Sequence, residues 1–519
     1  MLILSTDRRT NGPTDRRTNG PTGKKVLPPL TQGLPALVDG AFQYGLSDIN
    51  LPKIPTQPIG YDDALQILKI MGGKPVPNAL HIGDWKGGLN ITYRFGPGFN
   101  SANVHKKLRL VVNNVMKTKI IYNVIGILDG SVEEDRYVIL GNHRDAWGLG
   151  AMDAASGTTA LLEVARLFGR IHSDTDWRPR RTVVFASWTG EEMGLIGSTE
   201  WVEEHIHLLS QKAVAYINVD TCIKGPFLSP DASPTLMAIL REVTQYISFR
   251  NTTLLNEWIK HQDQISGVVK ILGSGSDQAA FAFFAGIPAI NIMFKFDKKK
   301  YPISGYPAYH TGYETLYLVN KFIDPDFSLH KTCTQLLGVL LHAISGSILL
   351  PYRIDELANR VLIDYKYIYK MNANHEKFGA KYDIYGDNKP LIDMLEKSLA
   401  AFVSAANDWT EMIRHLDINN PLLVRRANDA MMGVERAFIR PEGLHERPEI
   451  KNLLYAPFKY NKYSTVVFPG MLDLMRQISI TQRGDVSKVP QLRQSLRRHI
   501  SDIAIALRSA TNLLNTHPL

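Results

Sequence analysis

The sequence is poor in the features that mark several classes of protein. It has two cysteines in 519 residues, so at most one disulfide can form and a disulfide scaffold is excluded. No run of 18 or more apolar residues occurs, which excludes a transmembrane helix within the chain. The opening MLILS is far shorter than the apolar core of a signal peptide. Charge of one sign is also scarce. The formal net charge is +9, and six basic against two acidic residues within 1–25 supply four of those charges. What remains over the rest of the chain is too little to argue for nucleic-acid binding. Cys222 lies close to a candidate metal ligand and Cys333 lies in a helical pattern, and both are expected to be buried thiols.

What is present describes a globular chain. Hydrophobic residues make up 44% and charged residues 21%, which suits a packed core, and the length allows two to four domains. Residues 6–21 repeat TDRRTNGP twice; this polar stretch cannot bury anything, so residues 1–28 are expected to be low-complexity and disordered. Residues 29–60, rich in proline and glycine, read as an extended connector, and 60–73 as a short helix with a glycine stop. Alternating patterns at 87–99 and 107–130 read as β-hairpins. From 137 to about 347, strands at 137–143, 182–188, 213–219 and 287–294 alternate with helices near 156–170, 192–210, 233–247 and 276–285. That alternation predicts an α/β fold, a mostly parallel sheet sandwiched by helices. Beyond Pro351 helical periodicity dominates, which predicts a C-terminal helical bundle over 351–519. Sequons at Asn90 and Asn251 permit glycosylation if the chain is secreted.

The chemistry gathers at predicted strand ends. YVILGNH ends on His143, RDAWGLGAMDAASG carries Asp145 and Asp153, and TVVFASW breaks at Thr189-Gly190 to deliver Glu191 and Glu192. AVAYINVD ends on Asp220, and His310 lies in YPAYHTGYET. Ligands bind at the carboxyl ends of strands in open α/β sheets. Two histidines and three carboxylates, His143, Asp153, Glu192, Asp220 and His310, form a mixed N/O donor set suited to zinc. Five ligands exceed one open tetrahedral site and fit two metals sharing a bridging carboxylate. Adjacent glutamates on a turn point apart, so one binds metal while the other serves as general base. Asp145, two residues after His143, is placed to accept the imidazole's other N–H. Singly, each of these residues is more often a structural histidine, a turn aspartate or a helix-dipole glutamate; the joint pattern is what signals a site.

GNHRDAW, GAMDAASG, FASWTGEEMGLIGSTEW, VAYINVD, GSGSD and YPAYHTGYETLYL resemble the di-zinc M28 peptidases, and among them the glutamate carboxypeptidase II-like group related to the transferrin receptor. The resemblance covers about residues 29–519. It implies a zinc exopeptidase fold over 118–350, a remnant of an apical domain over 29–117 and a helical dimerisation domain over 351–519, giving a homodimer. It implies that His143 and Asp220 hold one zinc, Glu192 and His310 the other, with Asp153 bridging before a cis peptide bond to Ala154. Glu191 would shuttle the proton and Tyr309 would stabilise the oxyanion. Ser274, Gly275 and Leu195 would line the substrate site, and Lys462 and Tyr463 would grip a substrate carboxylate. A structural calcium would be held by Glu200, Glu203, Thr31 and Leu34. An extracellular or membrane-anchored setting is also implied, although no anchor is present here.

Departures limit the analogy. The residues that read an acidic substrate in this group are replaced or missing: their positions hold Asn291, Met293, Pro230 and Ser276. The apolar AINIMF and Asn142 are more like an aminopeptidase-like branch. The expected function is therefore a co-catalytic di-zinc exopeptidase of short peptides, carboxypeptidase- or dipeptidase-like with an aminopeptidase mode open. The competing readings are a non-catalytic receptor-like relative, which would have lost ligands that this chain retains, and an inactive fragment.

Overall fold

The computed structural model describes residues 54–76, 87–113, 119–261, 269–297, 305–373, 389–482 and 485–515. The tandem repeat, most of the connector, Thr31 and Leu34 lie outside these residues.

A seven-stranded sheet organises the first half. Its strands are β1 (Val124–Leu128), β2 (Glu133–His143), β3 (Arg181–Trp188), β4 (Ala213–Asn218), β5 (Asp231–Ala232), β6 (Lys270–Ile271) and β7 (Ala289–Asn291). They lie in the order β1-β3-β2-β4-β7-β5-β6. The pairs β2·β3, β2·β4, β4·β7 and β5·β6 are parallel, while β1·β3 and β5·β7 are antiparallel, so the sheet is mixed with a parallel centre. All six residues of β4 are buried. A strand covered on both faces must be apolar throughout, which is why AVAYIN reads as an unbroken hydrophobic run.

Helices α1 (Ala155–Thr175), α2 (Ile196–Glu204) and α3 (Ser328–Gly346) accompany the sheet. Buried Ala160, Leu161, Val164 and Phe168 give α1 an inward face at helical spacing, and Leu329, Cys333, Leu336, Leu337, Leu340 and Leu341 do the same for α3. One glycine is demanded by packing. A Cβ on Gly157 would lie 2.0 Å from the carbonyl oxygen of Asp220 and 2.6 Å from Asn142 Nδ2. Only a bare Cα lets the first turn of α1 come this close to the end of β4.

The second half is helical: α4 (Ile354–Ala373), α5 (Lys389–Ile413), α6 (Pro421–Arg436), α7 (Pro469–Thr481) and α8 (Val489–Asn515), with one hairpin, Tyr455–Phe458 and Asn461–Val467. Asn420 caps α6, its side-chain oxygen accepting from Leu422 and Leu423 N–H at 3.1 and 3.3 Å before Pro421. Ion pairs fasten α6 to the sheet at the start of β2. Arg136 meets Asp429 at 2.6 Å, and Arg425 meets Asp135 at 2.7 Å.

Several expectations need correction. Residues 107–130 do not form a hairpin among the described residues: Val124–Leu128 instead pairs antiparallel with β3 at the sheet edge. Residues 87–99 pair through single bridges with 71–75 rather than with themselves. The helix expected at 192–210 begins only at Ile196, because Gly194 and Leu195 take positive φ, and it restarts at Ile206 after a break at His205. The helix expected at 276–285 runs over 278–284 and takes the wider π form at Ala280–Phe284. The two cysteines are not free thiols. Cys222, just past β4, and Cys333, on the α3 face that covers the sheet, have Cα atoms 6.6 Å apart and are joined as a disulfide.

Candidate metal centre

Strand geometry brings the first ligands together. β2 and β4 are adjacent and parallel, with Gly141 opposite Asn218, so their carboxyl ends project side by side. His143 Nε2 lies 3.2 Å from Asp220 Oδ1 and 3.3 Å from Asp153 Oδ1. Buried polar groups fix this corner. Asn142 Nδ2 donates to the carbonyl of Val219 at 2.7 Å, and Thr158 donates its hydroxyl to Asn142 Oδ1 at 2.6 Å. A chain runs from Trp188 Nε1 to the Tyr216 hydroxyl, from that hydroxyl to Asn218, and from the Asn218 amide to Ser276.

Loops bring the second set. Gly190, at φ 74, turns the chain after β3 and presents Glu191 and Glu192. His310 is itself left-handed at φ 59, held there by its N–H donating to Glu314 Oε2 at 3.1 Å. Its Nε2 lies 3.1 Å from Asp153 Oδ2 and 3.2 Å from Glu192 Oε1. The result is two clusters of ligand atoms, His143–Asp153–Asp220 and Asp153–Glu192–His310, joined through the two oxygens of Asp153. The Asp153–Ala154 peptide is cis.

Electrostatics show what the cluster wants. Asp153 is almost fully buried, which alone would favour its neutral form, as would the charge of Asp220; contacts with His143 and His310 nevertheless hold it down at about 2. His310 is pushed up to about 9: burial opposes the imidazolium, and Asp153 and Glu192 outweigh it. His143 is likewise raised well above its usual range against the cost of burial, chiefly by Asp220. Protons on the imidazoles thus stand where positive charge is needed. Asp153 Oδ1 and Glu192 Oε1 are buried and accept no hydrogen bond among the described residues, each facing an imidazole nitrogen. These are the donors a divalent cation takes, and binding one releases the protons.

Glu191 is 3% exposed, and its charge acts on Tyr309 and on Lys224 at the same centre. Tyr309 stacks on His310 at 3.7 Å. Burial and the charges of Asp153, Glu192, Asp220 and Glu191 keep its hydroxyl protonated far above the usual range. Leu195 is buried at the turn after Glu192. Ser274 and Gly275 belong to the loop whose Ser276 touches Asp220. Asp145 departs from expectation. His143 Nδ1 meets the backbone carbonyl of Asp145 at 3.0 Å, while the carboxylate stands 3.6 Å away. That carboxylate instead accepts the N–H groups of Glu191 and Glu192, at 3.1 and 3.2 Å, so it orients the glutamate turn. Lys462 and Tyr463 belong to strand Asn461–Val467, but their side chains lie outside the described residues. Glu203 is buried on α2, one turn from Glu200.

Residues 123–321 match Peptidase family M28, and residues 391–515 match the Transferrin receptor-like dimerisation domain. Over residues 123–321 the chain is thus similar to the family M28 peptidases. Aminopeptidase NAALADL1 of Mus musculus is 34% identical over 501 residues, covering 94% of this chain and 64% of that protein. A glutamate carboxypeptidase 2 homolog of Caenorhabditis elegans is 34% identical over 489 residues, covering 90% of this chain and 60% of that protein. The chain therefore spans less than two thirds of these relatives. A solved zinc aminopeptidase from Bacillus subtilis overlaps 43% of this chain and 50% of its own at 20% identity, with a TM-score of 0.35, too slight a likeness to argue from.

Two functional residues were not assigned from sequence. Glu314 accepts from the N–H of Asp153 at 2.5 Å, from the Tyr306 hydroxyl at 2.6 Å and from the N–H of His310, and so ties the bridging ligand to the His310 loop. Lys224 lies among the site's carboxylates. Both stand four positions after a ligand, His310 and Asp220, and that proximity in the chain was the available signal.

Proposed function

We propose that this M28 domain is a co-catalytic two-zinc exopeptidase acting on short peptides. The observation that carries the reading is the pair of ligand clusters sharing Asp153. His143 and Asp220 would hold one ion, Glu192 and His310 the other, and Asp153 both. Two zinc ions there would acidify a water molecule and polarise the scissile carbonyl. Glu191 accepts the proton of the attacking water and delivers it to the leaving amine. The Tyr309 hydroxyl, kept protonated by its surroundings, donates to the oxyanion that develops at the carbonyl carbon. Asp145 keeps Glu191 and Glu192 turned to their separate tasks. Ser274, Gly275 and Leu195 line the substrate path, with Lys462 and Tyr463 at its carboxylate end.

Helices α5 to α8 would pair two chains, as the name of the matched dimerisation domain implies. Glu200 and Glu203 would contribute to a structural calcium together with Thr31 and Leu34. Elemental analysis of purified protein, a peptide panel and a Glu191→Gln control test the reading. About two zinc ions per chain with activity lost in the control are expected. A protein that binds no zinc, or a control that hydrolyses as well as the parent, overturns it.

A further inference from the structure

The charge of the centre extends beyond its ligands. Lys224 follows β4, four residues past Asp220, and its N–H donates to the carbonyl of Phe294 at 2.8 Å. Its ammonium stands 5.1 Å from the ring centroid of Tyr309, and that ring in turn stacks on His310 at 3.7 Å with planes 20° apart. The cation is thus one aromatic ring removed from a candidate metal ligand. Burial opposes its charge, while the carboxylates of Asp220, Asp153, Glu314 and Glu191 sustain it. Among the described residues none of the four approaches it to ion-pair distance.

With its charge sustained by these carboxylates, the side chain is an ammonium that forms no ion pair among the described residues. Three of the carboxylates nearby have other partners: Asp153 and Asp220 belong to the ligand clusters, and Glu314 accepts three hydrogen bonds. The residue is part-buried. A positive group beside a metal centre, in no ion pair among the described residues and facing an aromatic ring, is equipped to meet an anion.

We propose that Lys224 sorts substrates by charge: its ammonium pairs with a carboxylate of the peptide beside the scissile bond and repels a free α-ammonium presented there. The inference rests on the peptidase reading and deepens it, because it sets which end and which side chains of a peptide are favoured. Side-chain and terminal carboxylates offer the same recognising chemistry. A lysine that only balanced the site's negative charge would be indifferent to the charge of the substrate.

The test uses zinc-loaded full-length chain and matched peptides. Two pairs differ as glutamate against glutamine on one or the other side of the scissile bond, and a third differs as free against amidated C-terminus. The readouts are the ratio of kcat/KM within each pair and the ratio of Kd measured calorimetrically on Glu191→Gln protein. One pair should show roughly a tenfold preference for its anionic member, as a hydrogen bond to a charged group supplies. That pair identifies the source of the carboxylate. Lys224→Arg should retain the preference, Lys224→Met should bring it close to unity and Lys224→Glu should invert it. Absence of any preference in the parent, or its survival in Lys224→Met, overturns the proposal. If Glu191→Gln hydrolyses normally, the peptidase reading fails, and the Kd ratios still decide the role of Lys224.

Discussion

The two halves of the metal centre are built differently. His143 and Asp220 sit at the ends of adjacent central strands, where the parallel ladder and the Asn142–Thr158 contacts leave little freedom. Glu192 and His310 come from loops, and their positions depend on two carboxylates that bind no metal in this scheme, Asp145 and Glu314. The first half inherits its geometry from the sheet. The second half assembles its own through hydrogen bonds, with His310 kept in a left-handed backbone. Strand-end sites are held by the same forces that hold the core, whereas loop sites need a dedicated scaffold.

Substitutions can break or sharpen this contrast. Asp153 belongs to both halves, so Asp153→Asn should reduce bound zinc from about two ions per chain to near none and abolish hydrolysis; retention of one ion by elemental analysis would show that the halves are independent. Glu191→Gln should leave both ions in place and lower kcat by roughly 10²–10⁴-fold, which separates catalysis from metal binding in steady-state kinetics. Glu314→Gln should act on the loop half alone. Loss of its support should weaken one of two zinc-binding steps by about 10–100-fold in a chelator titration and leave the other unchanged. Gly157→Ala strains the strand half, because its Cβ would meet the Asp220 carbonyl at 2.0 Å. A stability loss of about 1–3 kcal/mol in denaturant unfolding is expected, with the Asp220 side affected before the His310 side.

The same contrast explains what could be read from the sequence. His143 and Asp220 were legible because an apolar run that ends on a metal-binding side chain is a local pattern. Glu192 and His310 stood out only when all the donors were taken jointly, since neither loop has a period of its own. Glu314 was missed because its task, to receive three donors from Asp153, Tyr306 and His310, exists only in the folded chain. Spacing put Asp145 beside His143 but could not tell that its carbonyl, nearer than its carboxylate, would meet the imidazole. The alternation in 107–130 was real at Val124–Leu128, yet its partner proved to be β3, far along the chain, rather than the neighbouring residues. Local pattern cannot choose between those partners when both bury similar surface. The Cys222–Cys333 junction likewise depends on how α3 docks, which no spacing of two cysteines reveals.

β2 joins two distant affairs. One end, through Asp135 and Arg136, is clasped by Arg425 and Asp429 of α6, and the other end terminates in His143. From Tyr137 to His143 the strand pairs with β3, and from Tyr137 to Gly141 with β4, while a break in register between Glu133 and Tyr137 separates that paired stretch from the clasped residues. An irregular segment of this kind absorbs displacement that a continuous ladder would pass on. A shift of α6 is thus buffered at the root of the strand before it reaches the imidazole at its tip.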